Sequence, residues 1–323
     1  MITKKVFNGT IMSSSPYAPV VIFVYNRLDE TKNLIGSLIK NELAAESDVF
    51  IFSDGAKNKD DAIKVSSVRE YIASLYESGI FKSVTITEAE KNKGLAGSVI
   101  AGVTDIIDKY GRVIVLEDDL TVSSVFLLYM NKCLDYYEDN GRIWSVSGFS
   151  RDLKSSGNMD QNVYLSYRAA SEGWGTWKNR WDMVDWAVKD YKRFVMNPFA
   201  NAMFSRGGDD LPVMLRMQMR GYSDSWAIRF CYSQYKHNMY TVLPRKTLVK
   251  KGGLYNGTHC GEARNVKELE NQTLSETEEN WCYDHIEIDP AVAKEFRELV
   301  NPGIVYRIRV ELRHWKRKLL RKK

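Results

Sequence analysis

Three consecutive carboxylates form the strongest chemical signal in this sequence. Glu117, Asp118 and Asp119, here called the acidic triplet, directly follow the apolar run Val113–Leu116, which is typical of a buried strand. Neighbouring carboxylates repel one another unless a cation or a ligand compensates their charge. Divalent cations such as Mn²⁺ and Mg²⁺ accept oxygen ligands and bind diphosphates at the same time. The triplet therefore predicts a divalent-cation and diphosphate site, with a solvated acidic turn as the alternative.

Polar residues also follow the other strand-like runs of the first half. Asn26 and Arg27 come after Val20–Tyr25, and Asp54 comes after Val49–Phe52. In an open parallel sheet, ligands bind beyond the carboxyl ends of the strands. We therefore expect these side chains to gather at one sheet edge with the acidic triplet.

The elements that must position these residues alternate regularly. Four β-branched runs start 29 to 35 residues apart, with a helical pattern between each pair. The runs are Val20–Tyr25, Val49–Phe52, Val84–Thr87 and Val113–Leu116, and the helical patterns are 31–40, 61–75 and 95–109. This rhythm predicts βαβ units and an α/β, Rossmann-like fold with a mostly parallel sheet flanked by helices. Neither a GxGxxG nor a GxxxxGK[ST] motif follows a strand, which argues against a dinucleotide fold and a P-loop enzyme.

The second half has a different character. Strands are predicted at 143–146 and 163–165, whereas 169–226 is rich in Trp, Met and Arg and has helical periodicity. The segment 241–287 resembles a loop. The segment 304–320 has the pattern of a basic amphipathic helix.

The C-terminal segment carries a concentrated positive charge. Residues 307–323 contain nine Lys or Arg and one Glu, a net charge of +8, so the rest of the chain sums to −3 of the total +5. A basic helix with an apolar face containing Trp315 predicts peripheral binding to an anionic membrane, and a solvated terminal helix is the alternative. No nucleic-acid partner is expected, because the charge is not spread over the fold.

Composition excludes several classes of protein. The 323 residues are 44% hydrophobic and 27% charged, which is ordinary for one large or two modest globular domains and unlike disordered, collagenous or disulfide-scaffold chains. The four cysteines form no CxxC pair, and no apolar run reaches the length of a membrane span or a signal peptide. These features predict a cytoplasmic protein.

Taken together, these motifs resemble GT-A fold glycosyltransferases. The N-acetylglucosaminyltransferase I type has a Glu-Asp-Asp-Leu motif and a Trp-x-Val-Ser strand, which are similar to 117–120 and 144–147 here. Bacterial surface-polysaccharide glycosyltransferases share Phe-Ser-Asp-Gly-Ala-Lys at 52–57, Gly-Trp-Gly-Thr-Trp at 173–177 and Asp-Ser-Trp-Ala-Ile-Arg-Phe at 224–230. The resemblance covers about residues 18–260.

The resemblance implies a division of the chain. Residues 18–150 would form the nucleotide-sugar-binding α/β half. Residues 151–290 would form the acceptor-binding and catalytic half of the same domain, with helices and loops. Residues 302–323 would form the basic C-terminal helix.

The resemblance also implies roles for the strand-end residues. Arg27 and Asp54 would contact the nucleotide, with Asp54 accepting a hydrogen bond from the uracil. Glu117 and Asp118 would hold the sugar nucleotide, and Asp119 would ligate the metal directly.

One carboxylate of the second half matches the position of the family's catalytic base. Asp224, in an Asp-x-Trp context, would deprotonate the acceptor hydroxyl, and in-line attack on C1 would invert the anomeric centre. Burial beside Trp226 would raise its pKa. Asp209 and Asp210 are rivals for this role, with a helix N-cap before Leu211 as their alternative.

A cluster of tryptophans and one histidine complete the candidate site residues. Trp174, Trp177, Trp181 and Trp186 are expected largely on one helical face. They would pack in the core, or Trp174, with Trp226 nearby, would stack on a sugar ring. His259 would cover the diphosphate or join the metal, or would be a structural histidine.

The sequence therefore predicts a metal-dependent, inverting hexosyl- or N-acetylhexosaminyltransferase. It would move a sugar from a UDP-sugar to a hydroxyl of a surface polysaccharide, such as lipopolysaccharide or capsule, or of a lipid-linked oligosaccharide. Two alternatives are a sugar-nucleotide nucleotidyltransferase, which commonly has a Gly-rich loop after its first strand, and a non-catalytic glycan-assembly module.

Overall fold

The structure is a computed structural model that describes residues 3–5, 16–76, 78–252, 269, 271–303 and 312. Two predictions lie outside these residues: His259 and most of the basic C-terminal helix. Within the described part of the chain, no helix is long and apolar enough to cross a membrane.

Eleven strands and ten α-helices are formed by the described residues. The strands are β1 (Thr3–Lys5), β2 (Val20–Val24), β3 (Asp48–Ser53), β4 (Ser83–Glu88), β5 (Arg112–Glu117), β6 (Leu120–Val122), β7 (Ile143–Ser147), β8 (Val163–Ser166), β9 (Trp174–Trp177), β10 (Tyr240–Pro244) and β11 (Val249–Lys251). The helices are α1 (Leu28–Leu38), α2 (Lys59–Ala73), α3 (Gly94–Tyr110), α4 (Phe126–Tyr136), α5 (Lys178–Trp181), α6 (Tyr191–Val195), α7 (Pro198–Phe204), α8 (Leu211–Met219), α9 (Trp226–Lys236) and α10 (Pro290–Leu299). Short 3-10 turns cover Ala44–Glu46, Lys154–Asn158 and Ser205–Gly207.

Nine of these strands form one sheet in the order β1-β4-β3-β2-β5-β9-β7-β10-β8. The strands β4, β3, β2 and β5 are parallel neighbours, and β7 and β10 are parallel to each other. The strands β1, β9 and β8 pair antiparallel with their neighbours. Six strands therefore run in one direction and three in the other. The prediction of an α/β fold with a mostly parallel sheet flanked by helices is confirmed.

Apolar side chains alternate between two cores, one on each face of the sheet. Val20 and Ile22 of β2 belong to one core, and Val21 and Phe23 belong to the other. Successive side chains of a strand point to opposite faces, so a strand that is buried on both sides appears as a continuous apolar run. Helices α1, α2 and α4 contribute to the first core, and α3 and α9 to the second.

The structure corrects the prediction that the clustered tryptophans lie largely on one helical face. Trp174 and Trp177 lie on a strand, β9, which is inserted antiparallel between β5 and β7, and not on a helix. Residues three apart on a strand point to opposite faces, and accordingly Trp174 packs in one core and Trp177 in the other. The spacing of three was therefore compatible with a strand that is buried on both faces.

The structure also corrects the prediction that the segment 241–287 is a loop, because part of it forms strands. Strand β10 pairs with β7 and β8 inside the sheet, and β11 pairs with β6 in a separate two-stranded sheet. Strands from before and after residue 150 share the large sheet. The division of the chain at that residue stays a prediction.

The close packing of β9 depends on Gly175. A Cβ atom there would lie 2.8 Å from the carbonyl oxygen of Val113, 3.0 Å from Met130 and 3.1 Å from Leu134. Distances this short require the backbone of β5 or the side chains of α4 to move. Only glycine fits between the two elements.

We predict that Gly175→Ala lowers the free energy of unfolding by about 1–3 kcal/mol through overpacking. Gly36→Ala in α1 is the matched control, because nothing lies within 4 Å of its added Cβ and alanine favours helix. Urea denaturation followed by circular dichroism measures both. Equal stability of the two variants would contradict the packing described for β9.

Candidate functional site

A cleft of ≈ 310 Å³ opens at the carboxyl edge of the parallel strands. Its walls come from the residues after β2, the end of β3, the end of β5 and the first turns of α3. Lining residues include Tyr25, Asn26, Arg27, Asp54, Glu117 and Asp118. The cleft thus brings together strand-end residues that lie far apart in the sequence.

Arg27 is the cation that faces the acidic triplet. Its Nη1 donates to Asp119 Oδ2 at 3.3 Å, and its Nη2 forms an ion pair with Asp118. The backbone N–H of Tyr25 donates to the other oxygen of Asp118 at 3.4 Å. One guanidinium therefore bridges two carboxylates, which are both buried. Such charge-assisted pairs are stronger than neutral hydrogen bonds and hold the first loop against the end of β5.

The charge of the triplet is only partly compensated. Burial, together with repulsion by Asp119, raises the pKa of Glu117 to about 8, although Lys251 opposes the shift. Burial also raises the pKa of Asp118 to about 6, against the opposing effect of Arg27. Ionisation of these carboxylates is therefore unfavourable unless a further positive charge binds beside them, a feature that favours binding of a cation.

Asp54 lies at the cleft, but its carboxylate is used within the protein. Its two oxygens accept hydrogen bonds from the backbone N–H groups of Gly55 (2.8 Å), Lys93 (2.9 Å) and Gly94 (3.0 Å) and from the side-chain amide of Asn92 (3.1 Å). Gly94 begins α3, so this carboxylate fastens the start of that helix to the end of β3. Four donors leave little capacity for the predicted hydrogen bond from a uracil. In this structure Asp54 positions the loop.

The position of the loop that Asp54 holds also explains why residue 55 is a glycine. A Cβ at this position would lie 2.4 Å from the carbonyl carbon of Lys91 and 2.7 Å from the backbone nitrogen of Asn92. The two loops therefore touch backbone to backbone at the edge of the cleft. The Ser-Asp-Gly sequence after β3 serves this contact.

Tyr25 and Lys57 are cleft residues that the sequence analysis did not identify. The Tyr25 hydroxyl accepts a hydrogen bond from the Lys57 backbone N–H at 3.1 Å, and the Lys57 ammonium lies 5.5 Å from the centre of the Tyr25 ring. The apolar run predicts Tyr25 as the last residue of a buried strand, whereas β2 ends at Val24. The ring thus lines the cleft, where it presents a flat surface beside a cation.

Glu172 is a carboxylate at the same sheet edge that the sequence analysis missed. Strand β9 is antiparallel to β5 and pairs Trp174 with Val115, so its amino end, which Glu172 precedes, lies at the carboxyl end of β5 near Glu117. The charge of Glu172 contributes to the raised pKa of Glu117. Its place directly before the Gly-Trp-Gly-Thr-Trp stretch was the available signal.

Glu172 also borders a second cavity, of ≈ 140 Å³, which reaches into the second half of the chain. Its backbone is held because its carbonyl accepts a hydrogen bond from the Ser147 hydroxyl at 2.9 Å. Ser171 and Arg168 line the same cavity. Glu172 therefore lies between this cavity and the acidic triplet.

The candidate catalytic base Asp224 was expected to be buried beside Trp226, but it lies at the protein surface. Its side chain is 68% exposed and pairs with Arg229 at 2.8 Å. Trp226 is buried, but it does not bury Asp224. The expected burial of this carboxylate beside Trp226 is therefore wrong.

The two rival carboxylates are engaged in ion pairs. Asp210 accepts from Arg168 Nη1 at 2.7 and 2.8 Å, and Asp209 pairs with Arg297 at 2.7 Å. Asp210 occupies the N-cap position of α8, but its side chain does not cap the helix. Asp210 and Arg168 instead connect α8 to the segment after β8.

The prediction that Trp174 and Trp226 stack on a sugar is wrong for this structure. Trp174 is 0% and Trp226 3% exposed, and their ring centres lie 4.7 Å apart. Phe230 and Trp181 pack around Trp174 at 5.2 and 5.9 Å. These rings are core residues, the packing alternative, because β9 runs through the middle of the sheet.

The described residues do not form a complete metal centre. No group of three or more His, Cys, Asp or Glu side chains among them is arranged to hold an ion. Arg27 already contacts two members of the acidic triplet. A cation at this site would therefore need ligands from a bound molecule in addition to the carboxylates.

Comparisons with known proteins assign no family. The chain matches no model of a protein family and no curated protein. It is similar to a solved structure of the mannosyltransferase PcManGT from Pyrobaculum calidifontis in complex with GDP-Man and Mn²⁺, at 13% identity and a TM-score of 0.36, over 52% of this chain and 47% of that one. The chain thus spans about half the length of that protein.

Two structures of S. aureus TarS 1–349 are also similar to the chain. The first has 11% identity and a TM-score of 0.43, over 80% of this chain and 67% of that one. The second, in complex with UDP-GlcNAc, has 12% identity and a TM-score of 0.45, over 80% and 68%. Resemblance at this level assigns neither an activity nor a substrate to this chain.

We predict that Glu117→Gln stabilises the metal-free protein more at pH 8.5 than at pH 5.5. A carboxyl whose pKa is raised on folding contributes stability below its unfolded value of about 4.5, and that contribution is lost as the pH rises toward about 8. Glutamine carries no charge and avoids this loss. The melting temperature in EDTA should therefore rise by more than about 3 °C at the higher pH.

Glu42→Gln, on the exposed turn after α1, is the control. Its melting temperature should follow that of the wild type at both pH values, since this side chain lies in solvent. A Glu117→Gln effect that is the same at pH 5.5 and 8.5 would argue against a raised pKa at this position.

Proposed function

We propose that the protein is a glycosyltransferase that moves a sugar from a UDP-sugar to a hydroxyl of a glycan acceptor. The observation that carries this proposal is the convergence of Glu117, Asp118 and Arg27 on one cleft at the carboxyl edge of parallel strands, with Asp119 paired to the same arginine. In open α/β sheets, this edge is where ligands bind. A cleft of ≈ 310 Å³ has room for part of a nucleotide.

The leaving diphosphate is the group that the triplet and its cation would hold. A divalent cation, Mn²⁺ or Mg²⁺, would be ligated by Asp119, and diphosphate oxygens would complete its ligand set. This fits a site with surplus carboxylates but without a full set of protein ligands. The bound cation supplies compensation for the negative charge of the leaving group.

The remaining residues of the cleft would bind and orient the donor. Tyr25 offers a ring face to the base, and Arg27 a guanidinium for the phosphates, once a cation shares the charge of Asp118 and Asp119. Glu117 and Asp118 would hold the sugar nucleotide. Asp54 would act indirectly, because it fixes the loop that borders the cleft.

Glu172 is the residue that we propose as the general base. It lies between the triplet and the second cavity, so an acceptor hydroxyl entering through that cavity would meet it beside the donor. It would take the hydroxyl proton while the oxygen attacks C1, with inversion of the anomeric centre. Asp224 remains the second candidate on grounds of motif alone, since its side chain is exposed and paired with Arg229.

The acceptor is proposed from the resemblance seen in the sequence. A surface polysaccharide, such as lipopolysaccharide or capsule, or a lipid-linked oligosaccharide, would be extended at the cytoplasmic face of the membrane. The basic C-terminal segment 307–323 would hold the enzyme at that surface. A panel of nucleotide sugars distinguishes a hexosyl from an N-acetylhexosaminyl donor.

We predict that UDP and one UDP-sugar raise the melting temperature in the presence of Mn²⁺ and not in EDTA. A ligand at about a hundredfold excess over its Kd stabilises the native state by about 2.7 kcal/mol. Asp119→Asn should abolish the metal-dependent part of this shift. Differential scanning fluorimetry with a panel of nucleotides and nucleotide sugars measures it, and release of UDP from the same donor with a glycan acceptor measures turnover.

The outcomes separate the proposed function from its two alternatives. Production of a sugar nucleotide from a sugar phosphate and UTP, without glycan elongation, would assign a nucleotidyltransferase. The absence of any nucleotide-dependent shift would favour the non-catalytic assembly module. Glu42→Gln, which is remote from the cleft, should behave as the wild type in every assay.

We further predict that Glu172→Gln reduces the turnover number by at least about a hundredfold and leaves UDP binding within about twofold of the wild type. The reason is that a general base acts on the acceptor and not on the nucleotide. Asp224→Asn should retain more than about half of the activity. The reverse result, with Asp224→Asn inactive and Glu172→Gln active, would return the role to Asp224.

A further inference from the structure

The corner between α6 and α7 exposes an unusual amount of apolar surface. Met196 is 82% exposed, Phe199 74% and Val195 42%. These three side chains lie within five residues, whereas the other large exposed apolar side chains of the described chain are scattered. Single exposed apolar residues are common, but a cluster of this kind marks an interaction surface. We call residues 189–199 the α6–α7 corner.

The corner is anchored to the core by its inner side chains. Its exposed tip therefore belongs to an ordered pair of helices. Phe194 of α6 packs edge-to-face on Tyr232 at 5.0 Å and on Phe204 at 5.7 Å. Asn197 caps α7 by accepting a hydrogen bond from the Ala200 N–H at 3.1 Å, and Pro198 begins the helix. The inner side chains thus hold the two helices while the tip faces outward.

Three cations directly precede this apolar tip in the sequence. Lys189, Lys192 and Arg193 are exposed and, within the part of the chain that the structure describes, form no ion pair. The single carboxylate of the corner, Asp190, is neutralised by an ion pair with Lys236 and a hydrogen bond from Tyr232 at 3.0 Å. The corner therefore presents three unmatched positive charges beside exposed apolar groups.

We propose that the α6–α7 corner docks the protein on an anionic membrane surface. Met196 and Phe199 would enter the headgroup region, and the three cations would lie at the level of the lipid phosphates. Each basic residue near an anionic bilayer adds to binding, and an apolar contact combined with a basic patch gives the two signals that peripheral attachment requires. This contact is separate from the basic C-terminal segment, and vesicle binding can be measured without any substrate.

Charge complementarity favours a membrane over another protein surface as the occupant. A protein partner would have to present an apolar pocket together with several acids in a matching pattern. An anionic bilayer offers both the apolar interior and the phosphate layer without specific complementarity. A second copy of the chain is less well matched, because two copies of this corner would bring their like charges together.

The experiment measures co-sedimentation of the full-length chain with phosphatidylcholine vesicles, with or without about one third phosphatidylglycerol. The double variant Met196→Ser, Phe199→Ser tests the apolar tip, and Lys192→Glu, Arg193→Glu tests the cations. Ile63→Ser is the matched control, because Ile63 is an apolar side chain on α2 that is 73% exposed and stands alone. Melting temperatures and sedimentation velocity are recorded for every variant.

We expect the wild type and Ile63→Ser to bind the anionic vesicles equally. The apolar double variant should partition about tenfold less, since two large side chains no longer enter the interface. The charge-reversal variant should bind the anionic vesicles several-fold more weakly than the wild type, while the basic C-terminal segment keeps part of the preference for anionic over neutral vesicles. Both should melt near the wild-type temperature, because all four positions are exposed.

Two results would overturn the proposal. Wild-type partitioning of the apolar double variant would exclude the corner from the membrane contact. Unchanged partitioning combined with a dimer-to-monomer change in sedimentation would assign the corner to self-association. Neither result would bear on the proposed sugar transfer, because no donor or acceptor enters this experiment.

Discussion

The arrangement of the site depends on three carboxylates placed at the end of a buried strand. Burial and mutual repulsion raise the pKa values of Glu117 and Asp118, and Arg27 bridges Asp118 and Asp119. A protein selected only for stability would not retain this concentration of like charge. The residues around the triplet can be understood as the means by which the fold holds it: the β2 loop carries the compensating cation, and β11 brings Lys251 near Glu117.

The second structural constraint is the insertion of β9 into the middle of the sheet. This strand runs against β5 and β7, so that its amino end, not its carboxyl end, reaches the ligand-binding edge. That reversal places Glu172 at the same sheet edge as Glu117 and buries Trp174 in the second core. The second half of the chain thus shares both the sheet and the site with the first, while the ≈ 140 Å³ cavity beside Glu172 provides it with a recess of its own.

The carboxylates near the site fall into two groups: some hold the fold in place, and others would act on the substrate. Asp54 accepts four hydrogen bonds that fix the start of α3, and Asp210 holds Arg168, so both carboxylates are committed to the fold. The carboxylates of the acidic triplet and Glu172 remain at the cleft or its border. The α6–α7 corner is different again, because its apolar tip is largely exposed and therefore offers a surface to an outside partner.

The sequence by itself determined the alternating strands and helices of the first half, because β-branched runs and helical periodicity are local patterns. It also determined which residues end the parallel strands, and so located the acidic triplet, Arg27 and Asp54 at one edge. Only the tertiary structure decided what those residues do there, since their partners are distant in the chain: Asp54 bonds Lys93, 39 positions away, and Arg27 meets Asp119 across 92. The same reason explains why the sequence pattern predicts a helix where β9 lies and does not reveal Glu172. A short strand buried on both faces has no diagnostic period, and its direction in the sheet is set by neighbours that the sequence does not reveal.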